Sequence, residues 1–127
     1  MHADKFSRFV TARNEFRTRC AQWAQALPDL AAAQAAMLES ARQEPYPIET
    51  PIVYNRALDD IGPQSLIRWI VVADNPGRRE QESDGQRYLI GPSGKATENF
   101  FKRELGLDFR TDAIVINKTP IHSAKTA

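Results

Sequence analysis

The chain has 127 residues, 42% of them hydrophobic and 26% charged, the make-up of an ordinary globular domain with a single core. Its formal net charge is +1, with no bulk excess of basic residues to draw it to nucleic acid. One cysteine, Cys20, excludes a disulfide framework or a cysteine-held metal or iron–sulfur centre within this chain, and no apolar run approaches the roughly 20 residues of a membrane span. With no signal-peptide pattern at its start, a cytoplasmic location is the default expectation.

Phe6, Phe9, Val10, Phe16, Cys20, Trp23 and Leu27 recur mostly at helical steps and predict a long amphipathic helix closed by Leu27-Pro28. Lys5, Arg8, Arg13, Arg17 and Arg19 outweigh Asp4 and Glu15 along it, which reads as a solvated helix face. Asp29 is placed to cap a second, alanine-rich helix through Leu30, Ala33, Met37, Leu38 and Ala41, stopped by Pro45-Tyr46-Pro47. Then the period changes. Pro51-Ile52-Val53-Tyr54 reads as a short strand, and Leu66 to Ala73 as a near-continuous apolar strand of the kind buried on both faces. Thr97 to Leu105 predicts a helix with Phe100, Phe101 and Leu105 inward and Gly106 as its C-cap. Ala113 to Ile116 predicts a further strand, stopped by Asn117-Lys118-Thr119-Pro120.

Strand, loop, helix, strand makes a crossover unit, so the fold class expected is α/β: a mostly parallel sheet flanked by helices, with a helical part (1–49) preceding an α/β part (50–127) in a single domain. In such sheets ligands bind beyond the carboxyl ends of the strands. Asp74-Asn75-Pro76-Gly77 and Asn117-Lys118-Thr119-Pro120 both stand at such ends. Taken alone, each is an ordinary turn. Gly91-Pro92-Ser93-Gly94-Lys95 superficially resembles a triphosphate-binding loop, but Leu89 and Ala96 break that pattern, and only a single-phosphate site at a helix start survives. His2 and His122 carry no partner spacing, His122 reads as a loop residue, and no metal site is expected.

The order of these pieces resembles the uracil-DNA glycosylase superfamily from about Thr50 onward. "ADNPG" is similar to its first active-site motif, "NKTPI" to the Asn-x-x-Pro motif at the end of the next strand, and "DGQRYLIGPSGK" to a glycine-rich loop of one branch. The resemblance implies a three-layer α/β/α fold and hydrolysis of the N-glycosidic bond of uracil or a related damaged base in DNA, with no cofactor. It implies that Asn75 holds the attacking water, with Asp74 as a second catalytic candidate. Gly77 and either Tyr88 or Leu89 would contact the flipped base, Asn117 would read its edge, and Ser93, Gly94 and Lys95 would touch the DNA backbone. The superfamily's second half, with a His-Pro-Ser-rich motif, has no counterpart before Ala127, so the chain alone is expected to be inactive and to self-associate through an exposed sheet edge. Two rival expectations are a non-catalytic DNA- or nucleobase-binding module on the same fold and a small protein-interaction module.

Overall fold

The structure, a computed structural model, describes residues 1–123. Helix α1 (Ala3–Ala26) ends where Pro28 forbids continuation, the backbone N–H of Leu27 still donating to the Trp23 carbonyl. Its apolar stripe is thinly covered. Cys20 is buried and Phe6, Phe9 and Phe16 are half-buried, while Trp23 and Leu27 are exposed. The basic face is partly solvated, as in the exposed Arg8–Asp4 and Arg19–Glu15 pairs, but Arg17 reaches Asp59 at 3.0 Å and so links the helix to a distant turn. Helix α2 (Leu30–Ser40) starts after Asp29, whose side chain makes no capping bond. Gln34 and Leu38 form its buried face, and Met37 points to solvent.

The sheet holds two strands, β1 (Trp69–Ala73) and β2 (Ala113–Asn117), parallel and in register from Trp69 opposite Ala113 to Ala73 opposite Asn117. Between them run two single-turn helices, α3 (Arg78–Gln81) and α5 (Phe109–Asp112), and the longer α4 (Pro92–Phe100). The parallel pairing across a helical crossover is what the sequence predicts. Four expectations are corrected. The first strand begins at Trp69, not Leu66, because its partner β2 begins only at Ala113. It is not buried on both faces: Val71 packs with Ala113 and Val115 against Val53, Tyr88, Phe101 and Phe109, whereas Ile70 and Val72 are 65% and 59% exposed. Pro51–Tyr54 is no sheet strand, and Ile52 makes a lone antiparallel bridge to Ile121. Finally, the helix predicted from Thr97 starts at Pro92 and ends in a π-turn (Phe101–Leu105). The wider turn rotates its end, so Phe101 faces the core while Phe100 and Leu105 are exposed. Gly106 caps it at φ +64°, a left-handed conformation that glycine adopts without steric cost.

Helix and parallel sheet are thus both present, with one face of the sheet covered by the core and the other, Ile70, Val72 and Ile116, uncovered among the described residues. Strand β1 pairs with β2 alone among the described strands, leaving an edge able to recruit another strand. Concentration-dependent self-association is the expected behaviour. Val72→Lys, which adds charge to an exposed position, should shift the chain toward monomer in sedimentation velocity at matched concentration. A mass that stays monomeric across the dilution series for the unaltered chain would contradict this.

Candidate functional site

Beyond Ala73 and Asn117 the two strands leave the sheet side by side. The backbone keeps them together, Lys118 N–H donating to the Ala73 carbonyl at 3.0 Å and Thr119 N–H to that of Asp74 at 3.3 Å. Lys118 Nζ donates to Asp74 Oδ1 at 2.7 Å, and this bond raises the ammonium pKa. Both side chains are well exposed, so the pair adds little stability, but it neutralises the Asp74 carboxylate. Over these strand ends opens a cleft of about 970 Å³, lined among others by Asp74, Asn75, Gly77, Leu89, Ser93 and Arg78.

The turn that forms the cleft wall is held from behind by a histidine. His122 is 1% exposed. Its Nδ1 lies 2.8 Å from the Pro76 carbonyl oxygen and its Nε2 lies 2.9 Å from the Tyr46 hydroxyl. A carbonyl can only accept, so Nδ1 carries the proton and donates to Pro76, and Tyr46 donates to Nε2. The His122 carbonyl in turn accepts from Gln34 Nε2 of α2 at 2.8 Å, which also donates to the Pro51 carbonyl. Burial pulls the imidazole pKa below its ordinary 6.5, and the bond to Pro76 and the charge of Glu80 oppose this more weakly. His122 does lie in a loop, as expected, but it is buried and hydrogen-bonded there. His122 joins the strand-end turn, the Pro45-Tyr46-Pro47 segment and α2 in one buried node.

The glycine-rich loop supplies the opposite wall. Leu89 sits at φ +53°, a left-handed conformation costly for a branched residue. Arg110 holds it there from α5, donating to the carbonyls of both Tyr88 and Leu89. The Leu89 carbonyl leans onto Gly94, where a Cβ would stand 1.6 Å from its oxygen, so no side chain fits at that position. Between the two residues expected to face a ligand, the geometry separates cleanly. Leu89 lines the cleft, whereas Tyr88 is 2% exposed in the core, its hydroxyl donating to the Val53 carbonyl at 2.6 Å. The two residues lie in a turn, and the left-handed backbone at Leu89 separates its course from that of the buried Tyr88.

The remaining predicted residues divide. Asn75 uses its amide nitrogen on Ser123 Oγ, 2.8 Å away, and on the Pro76 carbonyl, leaving Oδ1 without a partner among the described residues. Asn117 does not line the cleft, but it pairs with Ala73, which does, and its Oδ1 is a buried acceptor with no hydrogen-bond partner among the described residues. Ser93 lines the cleft, but Gly94 is buried against Leu89, and Lys95 belongs to a second cavity of about 750 Å³ beside the start of β2. The expected grouping of Ser93, Gly94 and Lys95 on one ligand surface is thus not what the fold builds, because successive residues of the first turn of α4 point in different directions. Sequence reasoning missed Tyr46, Arg78 and His122. The aromatic locked between two prolines was the available signal for Tyr46, and the position just past Asn-x-x-Pro the signal for His122.

No three His, Cys, Asp or Glu side chains gather as a metal would require among the described residues, and no described helix is long and apolar enough to cross a membrane. No protein-family model, curated protein or solved structure matches the chain.

The buried neutral imidazole has a consequence for stability. The unfolded chain binds the proton with an ordinary pKa, the folded chain resists it, so unfolding takes up a proton between the two values. The stabilisation is complete above about pH 6.5 and is lost as the pH falls through the folded value. The urea midpoint should therefore fall between about pH 7 and about pH 5. His122→Gln should flatten that dependence. An equal slope in the two proteins would show that His122 is not the group responsible.

Proposed function

We propose that the cleft at the strand ends receives uracil, or a related damaged base, flipped out of DNA, and that the chain is a uracil-DNA glycosylase-like base-excision repair protein. The observation that supports this reading is Asn117 Oδ1, a buried acceptor without a hydrogen-bond partner among the described residues, on the residue paired with the cleft-lining Ala73. A buried acceptor without a donor costs about 1–3 kcal/mol, a cost that a ligand donor removes. Uracil's ring offers an imide N–H between two carbonyls, the edge an asparagine amide can pair with. Leu89 supports the same reading from the other side, as an apolar side chain held against the cleft on which a base face can rest.

A base stacked in a duplex is out of reach, so it must be extruded, packed and read along its edge. Breaking its N-glycosidic bond then develops positive charge on the sugar and negative charge on the departing base, and fixed dipoles aimed at those charges supply most of the acceleration. Asn75 suits the part of water holder: with Nδ2 engaged by Ser123, Oδ1 is the atom left to accept a hydrogen bond from water. Asp74 is the second candidate, with a carboxylate already matched by Lys118. The same reading assigns the uncovered face of Ile70, Val72 and Ile116 to contact with a further helical layer, as in a three-layer glycosylase-like fold.

One observation favours a second reading, a non-catalytic binder of the same ligand. The cleft holds a neutral amide and a compensated carboxylate where a stronger proton acceptor would stand, and an amide is a poor general base. Binding and turnover separate the two. Fluorescence anisotropy should show tighter binding of a single strand containing uracil than of one containing thymine. Asn117→Ala should erase roughly 1–3 kcal/mol of that discrimination, the worth of a lost base-edge contact. In alkali-cleavage assays with protein in excess, Asn75→Ala should lower any excision by at least about tenfold with binding little changed. Discrimination without scission in any variant would establish the binder. Equal affinity for the two strands, unchanged by Asn117→Ala, would refute the base-binding reading.

A further inference from the structure

Arg78 opens helix α3 directly after the Asn75-Pro76-Gly77 turn and lines the cleft. Its neighbour Arg79 is held by two carboxylates, Glu82 and Asp84, each at 2.6 Å. Arg78 has no carboxylate within ion-pairing distance among the described residues. Its guanidinium lies instead over the ring of Tyr46, 4.7 Å from the centroid. That ring is anchored at its far end, because its hydroxyl is bound to the buried His122. The cation is therefore pre-positioned by a cation–π contact on an anchored aromatic, its donors uncommitted among the described residues. Of the acidic groups lining the same cleft, Asp74 is matched by Lys118, Glu82 by Arg79, and Glu80 is buried, which leaves Glu44 as the exposed one without a partner among the described residues.

We propose that Arg78 grips a phosphate of the DNA strand next to the flipped nucleotide, with Tyr46 as the platform that sets its position. This rests on the base-binding reading above and adds a residue to it. A planar guanidinium matches the oxygens of a phosphodiester through paired N–H donors. Arg78 flanks the Asn75 turn in sequence and shares its cleft, so a base resting on Leu89 would bring its own backbone toward this side chain. Arg78 acts as a strand-binding residue, with Asn117 left to choose the base.

The test uses the chain and single strands carrying one uracil, with binding followed by anisotropy across a salt series. Arg78→Gln, an exposed change that breaks no ion pair, should weaken binding roughly five- to tenfold at low salt and reduce the slope of log affinity against log salt by about 0.7, one single-strand phosphate. The preference for uracil over thymine should not change. Arg79→Gln should leave the slope closer to that of the unaltered chain. Replacing the flanking phosphates one at a time by neutral methylphosphonate should identify one position at which Arg78→Gln no longer costs affinity. Salt-dependent binding that Arg78→Gln leaves intact, or an equal loss with every methylphosphonate strand, would overturn the assignment while leaving base binding in place. A chain that binds none of the strands would overturn both.

Discussion

The hydrogen bonds of one buried histidine set the shape of this molecule's functional end. His122 stands where four pieces of chain converge: the Pro76 carbonyl, the Tyr46 hydroxyl, the Pro51 carbonyl that accepts from His122 N–H, and Gln34 of α2. The bonds to Pro76 and from Gln34 are buried, so breaking either leaves a buried group unsatisfied, and that penalty exceeds the modest net gain of forming the bond. The node works only with a neutral ring protonated on Nδ1. Protonating Nε2 as well would force the Tyr46 hydroxyl from donor to acceptor and put a charge in the interior. The cleft is thus tied to the rest of the fold through electrostatics, more than through apolar packing, which is concentrated further down the sheet around Val53, Tyr88, Phe101 and Phe109.

That core explains how the opposite wall is placed. Tyr88 anchors the glycine-rich loop in the interior, through its ring and through its hydroxyl on Val53. Leu89, next in the chain, packs in part on that core and lines the cleft beside it. The left-handed backbone at Leu89 is then held by Arg110 and made possible by the missing side chain at Gly94. One strained residue is supported by a cation on one side and a glycine on the other, an arrangement in which the surrounding structure over-determines the strain. Both walls, therefore, are positioned by neighbours behind them, buried His122 on one side and Tyr88, Gly94 and the exposed Arg110 on the other.

Much of this was legible in the residues, and the rest was hidden for identifiable reasons. The two long helices, the parallel crossover and the Gly106 cap follow from periodicity, proline and glycine, all local signals. The Leu66–Ala73 run was misread because an apolar sequence records what a strand can bury, while burial depends on what is placed against it; Ile70 and Val72 have no cover among the described residues. Phe100 and Leu105 went astray because a π-turn shifts the helical phase, and nothing in Phe-Lys-Arg-Glu-Leu announces one. That Asn75, Gly77, Leu89 and Ser93 come to one cleft was legible because strand ends and glycine turns mark their segments. The places of His122 and Tyr46 were not, since their partners lie 46 and 76 residues away in the chain. Long-range hydrogen bonds leave no periodic trace.

The chemistry proposed for the cleft follows from what lines it, an amide oxygen free to hold water, a carboxylate already matched by a lysine and an apolar side chain, and from a buried acceptor beside it, Asn117 Oδ1, without a donor among the described residues. Those groups suit a neutral, planar ligand with a donor on its edge better than they suit an anion or a metal. The most direct test is to map where such a ligand binds. In amide and side-chain NMR spectra of the chain, titration with a short single strand containing one uracil should move the resonances of Asn75, Gly77, Leu89 and Ser93 and the side-chain amide of Asn117. Those of Lys95 and Ile114, in the second cavity, should stay still. Shifts centred on Lys95 and Ile114, or none at Asn117 under saturating ligand, would contradict the account.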